Sequence, residues 1–103
     1  MQTPELFDLS GRTALVTGGG RGLGRAIAVG LAEAGADVIV VGRRPESLEE
    51  TVAAIEATGQ RANAIPGDLA QLDDVERIAS EALSLANPID ILVNNAARNW
   101  AAP

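Results

Sequence analysis

The run Thr13-Ala14-Leu15-Val16-Thr17-Gly18-Gly19-Gly20-Arg21-Gly22-Leu23-Gly24 carries a short apolar segment straight into a glycine cluster. Thr13–Thr17, bounded by Gly11 and Gly18, reads as a buried strand. Behind the glycines, Leu23, Ile27 and Leu31 recur at i, i+4 and i+8, the apolar stripe of a helix. Ala26, Gly30 and Ala34 make an adjacent face of small residues, expected to let that helix sit close to a sheet, and Gly35 is its stop. A strand, a glycine turn and a helix in that order leave free backbone N–H groups where a phosphate can approach. The alternative is a plain strand-to-helix turn that happens to be rich in glycine.

Outward from this run the pattern repeats. Residues 1–11 read as an extended lead-in anchored by Phe7 and Leu9. Val38-Ile39-Val40-Val41 is β-branched throughout and reads as a second buried strand. Pro45 suits the first turn of a second helix, whose apolar stripe is Leu48, Val52 and Ile55 and whose Glu46, Glu49, Glu50 and Glu56 face water. Gly59 ends it, and Ala62–Ile65 makes a weaker third strand closed by Pro66-Gly67. A third helix is expected over residues 73–85, burying Val75, Ile78, Ala79, Ala82 and Leu83, with Asp73 and Asp74 at its favourable end. Asn87-Pro88 breaks it, and Ile89–Val93 is a fourth strand. Alternating strands and helices imply an α/β fold with right-handed crossovers, a doubly wound parallel sheet covered on both faces.

Composition narrows the chemistry. The 103 residues fit one small domain, and 47% of them are apolar with only 2% aromatic. A net charge of −6 argues against a nucleic-acid surface. No stretch suits a membrane-spanning helix and no leader is visible, so a cytoplasmic protein is the expectation. There is no His, Cys or Tyr, and all eight cationic side chains are Arg, so Lys is absent too. That removes thiolate or imidazole metal sites, Ser-His and Cys nucleophiles, and a P-loop. No metal site and no catalytic residue is assigned. What remains suits holding a ligand better than moving protons near pH 7.

Thr17-Gly18-x-x-x-Gly22-x-Gly24 resembles the T-G-x-x-x-G-x-G turn of the short-chain dehydrogenases/reductases. It does not match the G-x-G-x-x-G spacing of other dehydrogenases. It also departs from the T-G-x-x-G-x-x-G of the extended, epimerase-like branch, because Arg21 stands where that branch needs glycine. Gly67-Asp68-Leu69 after the third strand is similar to the family's adenine-contacting turn. Asn94-Asn95-Ala96-Ala97 after the fourth is similar to its N-N-A-G, with Ala97 in place of glycine. The lead-in Leu9-Ser10-Gly11-Arg12 agrees as well. The resemblance implies a partial Rossmann-type sheet of strand order 3-2-1-4, residues 1–103 being the N-terminal part of a single dinucleotide-binding domain. It implies a cofactor site made by Gly18, Gly20, Arg21, Gly22, Leu23 and Gly24, by Arg43 and Arg44, by Asp68 and Leu69, and by Asn95 and Ala96. Asn94 and Asn95 also read simply as a strand-ending turn.

An NAD site usually places an acid about 20 residues past the glycines, on the ribose hydroxyl. Here the second strand runs into Gly42-Arg43-Arg44; Asp37 comes too early and Glu46 belongs to the next helix. Two arginines where a 2′-phosphate would lie, with Arg21 in the turn, point to NADP, with NAD as the alternative. The family's reaction is hydride transfer between nicotinamide and a small-molecule alcohol or ketone. Its Ser and Tyr-x-x-x-Lys would follow Pro103, so this chain is expected to lack the catalytic C-terminal half and to be inactive alone. The fourth strand is expected to be an open apolar edge that invites self-association, within a family expected to form homo-oligomers. A non-catalytic nucleotide-binding module, or a half-domain completed by a partner chain, are the competing readings.

Overall fold

The computed structural model describes residues 7–95. Those residues form β1 (Thr13–Thr17), α1 (Gly22–Glu33), β2 (Asp37–Gly42), α2 (Pro45–Glu56), β3 (Ala62–Pro66), α3 (Leu72–Leu85) and β4 (Ile91–Asn94). The strands pair in parallel, as the alternation implies, and in the order β3-β2-β1-β4 that the resemblance implies. β4 starts two residues later than the apolar run does. Asp90 instead ties the strand entry to β1: its amide donates to the Thr13 carbonyl at 2.9 Å, and its carboxylate accepts from the Thr13 amide at 2.9 Å.

Strand side chains alternate between two cores, as the period of two requires. Val16, Val38 and Val40 join Ala28 and Ala32 of α1 and Leu48 and Ile55 of α2 on one face. Leu15, Ile39, Val41 and Ile65 join Ile78 and Ala82 of α3 on the other. Both central strands are therefore apolar at nearly every position, because each face of the sheet is covered. Glycines end two of the helices in left-handed geometry, Gly35 at φ +109° and Gly59 at φ +97°.

Two expected helix faces differ from what the structure has. In α1 the surface against the sheet is Gly24, Ala28 and Ala32, not Ala26, Gly30 and Ala34. Ala26 and Gly30 are exposed, and Leu23 is 68% exposed. The rotation is set where the helix begins, since Gly24 abuts the Gly18 carbonyl and residues 28 and 32 follow one and two turns on. Both sets are small residues four apart, so spacing alone does not choose between them. In α3 only Ile78 and Ala82 are buried, while Val75, Ala79 and Leu83 are exposed. One stripe of a helix reaches a flat sheet, and among the described residues no second element packs against the rest.

Candidate functional site

Parallel register brings every strand's C-terminal end to one edge. Thr17 pairs with Val41 on one side and Asn94 on the other, and Gly42 pairs with Pro66. The glycine turn, the Arg43-Arg44 segment, the Gly67-Asp68 turn and Asn95 all leave the sheet from that edge. In a doubly wound fold this is where the crossovers diverge and a ligand can enter.

The turn itself depends on glycine at named points. Gly18 and Gly22 have φ of +66° and +58°, which an L side chain resists. A Cβ on Gly24 would run into the Gly18 carbonyl and stand 2.9 Å from Asn95 Nδ2. A Cβ on Gly19 would press Val40 at 2.9 Å, and the Gly19 amide donates to the Val41 carbonyl at 3.1 Å. The turn is thus laid flat across β2 and closed against the start of α1. Arg21 is the extended N-cap residue of α1 and makes no side-chain cap bond. The first turn of α1 holds no acid, whereas α2 has Glu46 and α3 has Asp73 and Asp74. No acid in its own first turn answers the partial positive charge at the tip of α1.

Beside that tip lies a pocket of about 130 Å³. Gly18, Gly20 and Arg21 line one wall; Gly42, Arg43, Arg44, Ser47 and Leu48 line the other. It is smaller than the roughly 300–1,000 Å³ that encloses a whole ligand, so it suits a terminal anionic group of a longer molecule. Asp37 lies at the far end of β2, paired with Thr13, and accepts from Gln60 Nε2 at 3.2 Å and the Arg61 amide at 3.1 Å. It is engaged there and remote from the pocket. Glu46 sits in the first turn of α2.

The remaining candidates are spread along the same edge. Asp68 Oδ1 accepts from the Ala70 amide at 2.9 Å, and the Asp68 amide donates to Asp74 Oδ2 at 2.8 Å, so α3 holds this turn through Asp74. Leu69 packs into the core beneath α3. Leu23 projects into solvent at the start of α1. The Asn95 amide donates to Thr17 Oγ1 at 2.9 Å, and Asn94 Oδ1 lies 3.2 Å from the same hydroxyl. The asparagine pair thus braces β4 against β1 where the glycine turn begins. Ala96 lies outside the described residues.

Several neighbours of the site went unmarked in the sequence. Ser47 lines the pocket, as do Gly42 and Leu48. Thr51 is fully buried, and its hydroxyl lies 2.8 Å from the Gly19 carbonyl. The signal was available: Thr51 is three residues past Leu48 and four before Ile55, a polar residue on the apolar side of its helix. Arg25 meets both Thr51 and the turn, and gave no such signal, because a charge early in a helix reads as a solvated face.

A family profile described as short chain dehydrogenase matches residues 12–103. The rhamnolipids biosynthesis 3-oxoacyl-[acyl-carrier-protein] reductase of Pseudomonas aeruginosa is 46% identical over 93% of this chain and 37% of its own length. The gluconate 5-dehydrogenase of Gluconobacter oxydans is 43% identical over the whole of this chain and 40% of its own. Among solved structures, a 3-oxoacyl (acyl-carrier-protein) reductase from Agrobacterium tumefaciens C58 with NADP bound is similar with a TM-score of 0.85 at 45% identity. The match covers 95% of this chain and 38% of that one. The chain therefore spans 37–40% of the length of these relatives. A profile matched from Arg12 onward and a sheet superposing on that of a 45% identical relative agree, and the chain belongs to the short chain dehydrogenase family.

Proposed function

We propose that this chain is the cofactor-holding part of an NADP(H)-dependent oxidoreductase, the whole protein transferring hydride between nicotinamide and an alcohol or ketone. The observation that carries the reading is the pocket where Arg21, Arg43 and Arg44 meet beside the uncapped tip of α1. The fit is chemical as well as spatial. A Cβ on Gly22 would meet nothing within 4 Å, so the turn is open outward at the point where a diphosphate would approach. The bound nicotinamide supplies or accepts the hydride. This chain's own residues hold and orient. Amides at the start of α1 receive the diphosphate, and the arginines fork onto a ribose 2′-phosphate. Asp68 spends one carboxylate oxygen on Ala70 and offers the other to the adenine edge. Asn95 keeps the turn closed near the nicotinamide end, with Ala96 following it in sequence. With no Tyr, Lys, His or Cys among the 103 residues, none of them is assigned the proton transfer. In this reading the segment is the first part of a single dinucleotide-binding domain.

A carboxylate is what a 2′-hydroxyl would need, and the acids nearest in sequence are placed elsewhere: Asp37 at the far strand end, Glu46 on α2. The Agrobacterium relative, solved with NADP bound, adds support. In a titration of both dinucleotides at one ionic strength, NADP is expected to bind on the order of tenfold tighter than NAD or better. Arg43→Asp should reverse the order by supplying an acid and removing a cation. Equal affinities in the unmodified protein would end this reading.

A further inference from the structure

The two walls of the cationic pocket belong to different elements, the glycine turn and the start of α2. What holds them at a fixed separation is a pair of side chains behind the pocket. Thr51 Oγ1 lies 2.8 Å from the Gly19 carbonyl and 3.2 Å from the Ser47 carbonyl. Arg25 Nε donates to Thr51 Oγ1 at 2.9 Å. Arg25 Nη2 donates to the Gly20 carbonyl at 2.5 Å on one wall and to the Ser47 carbonyl at 3.2 Å on the other. One guanidinium thus spans both walls, and its planar fork is what allows it. Neither residue lines the pocket. Arg25 also pairs with Glu50 at 3.0 Å, so its charge is already met and it is not one of the phosphate-binding arginines.

We propose that Arg25 and Thr51 are a positioning pair that sets the width of the gap between the glycine turn and α2, and thereby the preference for a 2′-phosphorylated ribose. The inference rests on the 2′-phosphate reading given above. A diphosphate on the tip of α1 needs only the turn. A 2′-phosphate must reach Arg21 on one wall and Arg43 and Arg44 on the other, so it alone is sensitive to their spacing. Thr51 is fully buried, and without its hydroxyl the Gly19 carbonyl and the Arg25 Nε would lose this partner behind the pocket. The walls would then settle at a new separation.

The test compares 2′,5′-ADP with 5′-AMP, ligands that differ only in the 2′-phosphate, on the full chain carrying Thr51→Val, Thr51→Ser or Arg25→Lys. Thr51→Val and Arg25→Lys are expected to weaken 2′,5′-ADP roughly tenfold while 5′-AMP changes by less than about threefold. Thr51→Ser keeps the hydroxyl and should hold the native ratio. Equal losses for both nucleotides would make the pair a general brace and overturn the proposal, as would an unchanged ratio in both variants. Should Thr51→Val fail to unfold cooperatively, Arg25→Lys decides by the same ratio, since that side chain is only partly enclosed. If the unmodified protein does not prefer 2′,5′-ADP, the 2′-phosphate reading falls and this proposal falls with it. If it does prefer it and the variants keep the preference, the positioning role alone is lost.

Discussion

Glycine is required at some positions of this chain and merely tolerated at others, and the two kinds look alike in sequence. Gly24 sits where any Cβ would collide with the Gly18 carbonyl, rigid backbone that has no rotamer to yield. Gly24→Ala should cost about 1–3 kcal/mol or more, the range of overpacking in a closed core, read as a lower midpoint in urea denaturation. Gly30 is also in α1, yet a Cβ there would meet nothing within 4 Å and the residue is exposed. Gly30→Ala should therefore stabilise the protein by roughly 0.5–1 kcal/mol through helix propensity and a less free unfolded chain. The same denaturation experiment checks both; a loss at position 30 would mean that a neighbour crowds that face of α1.

Among the elements, α1 and α2 are tied to the sheet and to each other, whereas α3 meets the sheet by a single narrow stripe. The first two share one core with three sheet valines, and Arg25 and Thr51 cross-link them. α3 gives the opposite face only Ile78 and Ala82, and leaves Leu72, Leu83 and Leu85 about half exposed or more. Its surface pairs, Arg77 with Asp74 at 3.6 Å and with Glu81 at 3.3 Å, are exposed and worth little. A side-chain tie to the sheet comes from Arg77, whose Nη2 donates at 2.7 Å to the carbonyl of Pro66, the last residue of β3. Few buried contacts mean a low local opening energy. In hydrogen exchange on the 103-residue chain, amides in the middle of α3 are expected to exchange well before those of β2 and α2. Equal protection across the three would refute the ranking.

At the scale of the whole molecule, the sheet ends on β4 with one side unpaired among the described residues, and Leu92 on that strand is 69% exposed. An open apolar edge is a surface that a second chain can pair with. The 103-residue chain on its own is expected to self-associate as concentration rises, and Leu92→Lys should suppress this by placing a charge on the edge. Sedimentation velocity over a concentration series measures it. A native chain that stays monomeric throughout would show that the edge is not adhesive.

Much of this architecture follows from local pattern. A β-branched run such as Val38–Val41 has one comfortable environment, a strand buried on both faces, and its alternation with amphipathic segments and three further short runs leaves little choice beyond a doubly wound sheet. Gly18 and Gly22 announced their turn because only glycine accepts the backbone that the turn needs. Arg43 and Arg44 stood out because no acid shares their window. Tertiary structure alone chose which small face of α1 meets the sheet, because Gly24-Ala28-Ala32 and Ala26-Gly30-Ala34 have the same spacing and only contact with the Gly18 carbonyl tells them apart. It alone joined Arg25 to Thr51, 26 residues apart, since a hydrogen bond between two helices depends on how the sheet between their strands sets them side by side. Periodicity records which side of an element is apolar; it holds no information about which neighbour that side will meet.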